Sequence, residues 1–364
     1  MSDFCPIKGF DHLEFYVGNA KQAALFYAKG FGFTSTAYRG LETGYRKTVS
    51  YVMEQGDIRF VLSTGLSPGN AIAQSVLKHG DAIVVIALEV ADVASIYWES
   101  TRRGAVGAIP PTQEEDEHGV FRYAAIQAYG DILIKFVERH DYAGVFAPGF
   151  ATRRAPASKV DGVGLTNIDH VVGNVDLGDM DKWAQFFGDT LGFNLSRHFD
   201  DKTIATEHSS LMSKVMQDST GKIKLPINEP AQSKHKSQIQ EYLEYNDGPG
   251  IQHVACATHN IIKTVSRLRA SGVEFLSIPK TYYENLNQRV GKIDQPIDQL
   301  AELGILVDRD QKGYLLQIFT QPVQDRPTLF FEIIERHGSQ GFGEGNFKSL
   351  FEAIEREQAR RGNL

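Results

Sequence analysis

Along this chain, short runs in which apolar and polar residues alternate are separated by stretches with helical spacing, and the same order of patterns occurs twice. The first half opens with Gly9-Phe10-Asp11-His12-Leu13-Glu14-Phe15-Tyr16-Val17, which reads as a strand. Helical spacing follows from Lys21 to Lys29, and then comes Phe31-Gly32-Phe33. The second half opens with Ile168-Asp169-His170-Val171-Val172, continues with a helix through Trp183, Phe186 and Phe187, and reaches Leu191-Gly192-Phe193. Strand-like runs come next in each half: Lys47–Gln55 and Ile58–Ser63, against Ile204–Met216 and Lys222–Asn228. A helix and a short apolar strand leading into another helix complete the correspondence. Ile132-Leu133-Ile134-Lys135-Phe136-Val137-Glu138-Arg139 then closes the first half as Leu329 to Arg336 closes the second.

This is the pattern of a tandem α+β duplication. It predicts a first domain over residues 1–150 and a second over residues 165–364, joined by a Gly-, Ala- and Pro-containing segment from Tyr142 to Gly164. The second copy is longer. Gln232 to Asp247 carries Ile239, Tyr242 and Leu243 at amphipathic helical spacing, and Pro279 to Leu303 predicts two short helices. A final helix is expected from Asn346 to Arg361, where Phe347, Leu350, Phe351 and Ile354 recur along one face.

The alternation makes one residue conspicuous. In the strand Thr328 to Arg336, Glu332 shares a face with Phe330 and Ile334, and a carboxylate among apolar side chains must protonate, pair or bind a metal. Two histidines sit in comparable aliphatic settings on other strand-like runs: His170, and His253 in Gly250-Ile251-Gln252-His253-Val254-Ala255. Their separations are too long for a local zinc knuckle but suit three strands of one barrel. Two imidazoles and one carboxylate so arranged describe the facial triad of non-haem Fe(II) oxygenases, which leaves coordination positions open for substrate and oxygen. The duplication tests this internally. Superposing the copies sets His12 against His170, Val85 against His253 and Lys135 against Glu332. Valine cannot coordinate and a lysine repels a cation, so the metal is expected in the second domain alone, with the first domain structural and His12 a hydrogen-bonded core residue.

Composition removes several other classes. The chain has 364 residues, 42% apolar and 23% charged, which is ordinary for a folded protein with ample core. A net charge of −7 with dispersed Lys and Arg argues against a nucleic-acid or anionic-membrane surface and favours a small-molecule ligand. Cys5 and Cys256 define neither a disulfide framework nor a zinc site. No run approaches the roughly 18 apolar residues of a membrane span and no basic-then-apolar leader opens the sequence, so a cytoplasmic location is expected. The glycines between Gly338 and Asn346 lack the Gly-Lys-Ser/Thr or Gly-x-Gly-x-x-Gly of a phosphate loop and are expected to act as hinges for the last helix.

The two halves, read as βαβββ repeats with a His, His, Glu set, resemble the vicinal oxygen chelate (glyoxalase-like) fold of two open barrels. Within it, the second half is similar over nearly its whole length to the 4-hydroxyphenylpyruvate dioxygenase family. The stretches that carry the resemblance are Leu225 to Pro230, Lys236 to Gln240, Gly250 to His253, Leu315 to Thr320, Phe331 to Arg336, and Gly341-Phe342-Gly343-Glu344-Gly345-Asn346-Phe347. The resemblance implies one Fe(II) per chain on His170, His253 and Glu332. It also implies conversion of 4-hydroxyphenylpyruvate and O2 to homogentisate and CO2 in tyrosine catabolism, a C-terminal helix over the active site, and a homodimer or homotetramer. By the same likeness, Ser213, Asn228, Gln238, Gln252 and Gln317 match polar substrate-orienting positions. Phe319, Phe330, Phe342 and Phe347 match aromatic ones, with Asn346 beside the last. Strict alternation points Gln252 away from His253, which predicts either a supporting role or a local twist. The readings to set against this one are 4-hydroxymandelate synthase, which oxidises the benzylic carbon of the same substrate, an extradiol catechol dioxygenase, and an iron-free binding protein of the same fold. Pro226, Asn228 and Phe347 follow the dioxygenase pattern; the synthase tends to replace them.

Overall fold

Each half starts with local signals strong enough to set a strand–helix step. Asn19 accepts a hydrogen bond from the backbone N–H of Gln22 at 3.1 Å and caps the helix Ala20–Phe31. That helix stops at Gly32 (φ 73), and the helix Met180–Leu191 stops at Gly192 (φ 71), each in the left-handed conformation that glycine adopts without strain. The phenylalanine after each glycine, Phe33 or Phe193, turns back into the core. The computed structural model describes residues 4–153, 162–199, 211–231 and 236–363.

Among the described residues the chain forms a nine-stranded and an eight-stranded mixed sheet, each curled into an open half-barrel. The duplication runs one level deeper than the two halves. The first sheet contains the unit Ile7–Tyr16, helix Ala20–Phe31, Thr34–Arg39, Thr48–Gln55 and Ile58–Gly65, and then the unit Ala82–Val90, helix Val93–Arg102, Gly107–Asp116, Gly119–Gln127 and Leu133–Glu138. In the second sheet the units are Leu165–Asn174, Met180–Leu191, Asn194–Phe199, Leu211–Gln217 and Lys224–Pro230, followed by Gly250–Thr258, Ile261–Ala270, Leu306–Arg309, Tyr314–Phe319 and Phe330–His337. In every unit the first strand pairs in parallel with the last, and the two first strands of a sheet pair antiparallel at its centre.

The two sheets are not independent bodies. Phe331 points away from Glu332 and packs on Phe31, Phe60 and Tyr27 of the first half, with ring centroids 5.0, 5.9 and 6.0 Å away. Tyr129 packs in turn on Trp183 of the second half at 5.8 Å. One apolar core therefore runs through both halves.

Two expectations need adjusting. Ala151–Thr152, expected inside the joining segment, adds a short strand to the edge of the first sheet against Thr34–Arg39. The insertion Pro279 to Leu303 holds three short helices rather than two, Thr281–Glu284, Leu286–Val290 and Ile297–Leu303, because Asn285 breaks the first stretch. Residues 154–161 of the joining segment, 204–210 of the expected strand Ile204–Met216, and 232–235 of the insertion Gln232 to Asp247 lie outside the described residues. No helix among the described residues is long and apolar enough to cross a membrane.

Candidate metal centre

Three neighbouring strands bring the predicted trio together. Ala255 pairs with His170 on one side and with Glu332 on the other, so the smallest chiral side chain lies between them and leaves room for both. His253 is two residues along from Ala255 and faces the same way. The ligating atoms of His170, His253 and Glu332 all lie within 4.8 Å of one another. Glu332 Oε2 is 3.2 Å from His170 Nε2 and 3.5 Å from His253 Nε2. Donors held about 2.1 Å from one ion at right angles stand about 3 Å apart, so these separations suit a shared cation. All three side chains are buried, and Glu332 Oε1 has no hydrogen-bond partner among the described residues. A buried carboxylate oxygen left bare is what an ion would satisfy.

Each imidazole is oriented through its other nitrogen by the residue just before it. Asp169 Oδ1 lies 2.8 Å from His170 Nδ1, and Gln252 Oε1 lies 3.0 Å from His253 Nδ1. Strict alternation forbids both contacts. Two β-bulges permit them: the register slips one residue between Ile168 and His170, making Asp169 the extra residue, and again between Val172 and Gly173, making Gln252 the extra residue on the partner strand. The local twist that Gln252 required is this second bulge. In the tautomer with the proton on Nδ1, each Nε2 lone pair is left for a cation shared with Glu332.

Charge follows from this arrangement. Burial opposes ionisation of Glu332, but the two imidazoles outweigh it and hold the carboxyl below its ordinary range. Burial also works against protonation of His170, yet Glu332 and Asp169 beside it prevail and raise its pKa. For His253 burial, with the neighbouring His170 adding to it, outweighs Glu332 and the pKa falls. The first half lacks the set. Its registers place Val85 and Lys135 where His253 and Glu332 stand, with the Lys135 amine 4.6 Å above the Tyr123 ring, and His12 is buried against Asp11 at 2.5 Å. Within the second sheet, extending the Gly173–Ile227 register by one residue sets Pro226 at the place that mirrors Glu332. Proline cannot coordinate, so the candidate site has three donors and its remaining side is open.

That open side faces a cavity inside the second half-barrel. Phe330 stacks on the His253 ring at 4.7 Å, Phe319 meets it edge-on at 6.2 Å, and Phe342 meets His170 edge-on at 5.1 Å. Ser213 and Asn228 are directly opposed on adjacent strands, and with Gln238 and Gln252 they bring polar groups to the wall. Phe347, Leu350, Phe351 and Ile354 of the helix Phe347–Arg360 close the top. Two expected residues do not line the cavity. Gln317 is fully buried, its amide without a partner among the described residues and pressed beneath the backbone of Gly343, while Asn346 accepts a hydrogen bond from the Tyr282 hydroxyl at 2.6 Å and anchors the segment from below. Val172, Phe199 and Val215 also line the cavity and were not singled out from the sequence; alternation reaches Val172 from His170 and Val215 from Ser213, but not Phe199. Asp169 and Arg336 were likewise given no role.

Paired open barrels with an interior His, His, Glu set place the chain in the class of vicinal oxygen chelate proteins. A profile described as the glyoxalase/bleomycin resistance protein/dioxygenase superfamily matches residues 167–318, and one described as hydroxyphenylpyruvate dioxygenase, N-terminal, matches residues 3–149. The chain is 47% identical to the 4-hydroxyphenylpyruvate dioxygenase of Yarrowia lipolytica over 98% of its own length and 94% of that protein's. It is 48% identical to the enzyme of the same name from Dictyostelium discoideum, over 98% of its own length and 100% of the relative's. A solved mutant of 4-hydroxymandelate synthase from Streptomyces coelicolor superposes with a TM-score of 0.86 at 29% identity, covering 97% of this chain and 99% of that one. The chain belongs to the 4-hydroxyphenylpyruvate dioxygenase family.

Proposed function

We infer that this chain is an Fe(II)-dependent 4-hydroxyphenylpyruvate dioxygenase, with one Fe(II) held by His170, His253 and Glu332, converting 4-hydroxyphenylpyruvate and O2 to homogentisate and CO2. The observation that carries the reading is the meeting of three buried donors, one of them with a bare carboxylate oxygen, on the wall of a cavity lined by phenylalanines and amides. When bound, Fe(II) supplies the Lewis acidity and redox chemistry that couple loss of the substrate's carboxylate to oxygenation of its ring.

The chain's own residues do the rest. Phe319 and Phe330 offer flat faces to the aromatic ring, and Ser213, Asn228 and Gln238 offer neutral hydrogen-bonding groups to the phenol and the oxo acid. Gln252 spends its oxygen on His253 and keeps its amide N–H groups for the cavity. Phe342, Phe347 and the final helix keep water away from the reacting atoms. The first repeat, without two of the three donors, serves as a structural domain and a surface for homodimer or homotetramer assembly, which light scattering of the purified chain would measure.

The structural likeness to 4-hydroxymandelate synthase motivates one second reading, in which the benzylic carbon is oxidised instead of the ring. Pro226, Asn228 and Phe347 all line the cavity and favour the dioxygenase. Anaerobic reconstitution with Fe(II), followed by 4-hydroxyphenylpyruvate and O2, tests both. The two products are isomers of one mass, so chromatographic retention and ring-proton NMR must tell them apart; 4-hydroxymandelate as the main product would refute the first reading.

A further inference from the structure

The His170 ligand is held by more than its own strand. Asp169, the extra residue of the bulge, contacts His170 Nδ1 through Oδ1, and both of its oxygens are clasped by Arg336, Nε to Oδ2 at 2.7 Å and Nη2 to Oδ1 at 2.8 Å. Lys224 Nζ stands 3.6 Å from Oδ1 on the other side. The remaining guanidinium nitrogen of Arg336 donates to the carbonyl oxygens of Gly341 at 2.7 Å and Ser339 at 3.3 Å. The clasp thus joins the His170 strand, the Glu332 strand and the segment leading to the final helix.

We propose that Asp169 and Arg336 are positioning residues of the metal centre: the carboxylate fixes the Nδ1–H form of His170 so that Nε2 faces Glu332, and the guanidinium locks that carboxylate in place. The proposal rests on the metal reading given above. A carboxylate on the far nitrogen of a ligating imidazole orients the ring and raises its basicity, and removing such a partner typically weakens metal binding about 10- to 100-fold. At His253 the same place is taken by the neutral Gln252, whose Oε1 lies 3.0 Å from Nδ1.

The first half provides a control within the same molecule. There Arg139 clasps Asp11, Asp11 contacts His12 Nδ1, and Arg59 stands 3.6 Å from Asp11 in the place of Lys224. This copy of the clasp persists where Val85 and Lys135 occupy the other ligand positions, so one part of its work is to tie the first strand to the end of the last. The second part, orienting a ligand, exists only at Asp169. Substituting the two aspartates separately therefore divides structural from metal-directed effects.

The test uses the full-length apo chain with Co(II), which is stable in air, and reads affinity by chelator competition together with the visible spectrum of the bound ion. Asp169→Asn is expected to weaken Co(II) about 10- to 100-fold and to alter the spectrum. Asp11→Asn should lower the melting temperature comparably while leaving affinity and spectrum unchanged. Arg336→Lys, which keeps the charge but loses the two-pronged grip, should give a smaller loss and serves if Asp169→Asn does not fold. Wild-type affinity in both Asp169→Asn and Arg336→Lys would overturn the proposal. His253→Ala separates the two levels: if it too binds Co(II) as wild type does, the metal reading itself fails.

Discussion

Glu332 is an anion without enough partners. One oxygen is shared by two imidazoles and the other has none among the described residues, in a setting where an unpaired charge is costly. Glu332→Gln keeps the shape and removes the charge, so the fold should survive while metal affinity drops by more than the roughly 10- to 100-fold that loss of a ligand's outer partner costs. Metal content after dialysis, with oxygen uptake alongside, measures this; full metal content would contradict the assignment. The same residue was legible from sequence because a carboxylate between Phe330 and Ile334 breaks an otherwise apolar face, and His170 and His253 stood out likewise. Asp169 was not, since alternation places it on the opposite face from His170, and the bulge that turns it round leaves no trace in periodicity. Gln317 shares the Glu332 face, as alternation required, yet Gly343 covers it. Which loop lies over which strand is a tertiary fact that local patterns do not carry. Asp11 supports a pH prediction free of any metal. Burial opposes its ionisation, but Arg139 and His12 prevail and keep the carboxyl below its ordinary range. A depressed carboxyl contributes stability that is present above its unfolded pKa of about 3.9 and is lost as pH falls toward the folded value. Asp11→Asn should therefore melt lower than wild type at pH 7, with the gap closing below about pH 4. A gap that stayed constant from pH 7 to pH 3 would show that the charge is not what stabilises.

At the scale of elements, the segment between the Glu332 strand and the final helix decides how the cavity is closed. Gly343 adopts φ 80 there, and a Cβ on it would sit 2.2 Å from the Gln317 amide nitrogen. Gly343→Ala thus combines a left-handed backbone with a collision in a fully buried spot, and is expected to cost about 1–3 kcal/mol. Because the displaced amide lies next to Phe319 and the lid, KM for the substrate should rise as well. Thermal melts and steady-state kinetics read the two effects, and an alanine variant as stable as wild type would mean that Gln317 moves aside freely. The final helix itself was visible in the sequence, its apolar residues at Phe347, Leu350, Phe351 and Ile354 recurring as a single stripe. The edge strand Ala151–Thr152 was not, being too short for alternation to register. The deeper symmetry also stayed hidden. The two units of each sheet share a pairing scheme rather than residues, as Glu332 and its mirror Pro226 illustrate.

For the molecule as a whole, the question is what a first repeat lacking two of the three donors contributes. The Glu332 strand has two faces, one bearing the carboxylate and the other pressing Phe331 into Tyr27, Phe31 and Phe60 of the first repeat. The first repeat is then the backing against which the ligand strand is held, and one core spans both halves. Phe331→Ala removes a fully buried ring from that junction, which ordinarily costs about 3–5 kcal/mol. Were the halves separate domains, the loss would fall on the second alone. With a shared core, both should unfold earlier and together. The chain has two tryptophans, Trp98 in the first repeat and Trp183 in the second, so Trp98→Phe and Trp183→Phe backgrounds each report on one half by fluorescence. In urea, Phe331→Ala should shift both reporters to the same lower midpoint. A Trp98 signal that held its wild-type midpoint while the Trp183 signal moved would show that the first repeat folds on its own and is not the backing for the ligand strand.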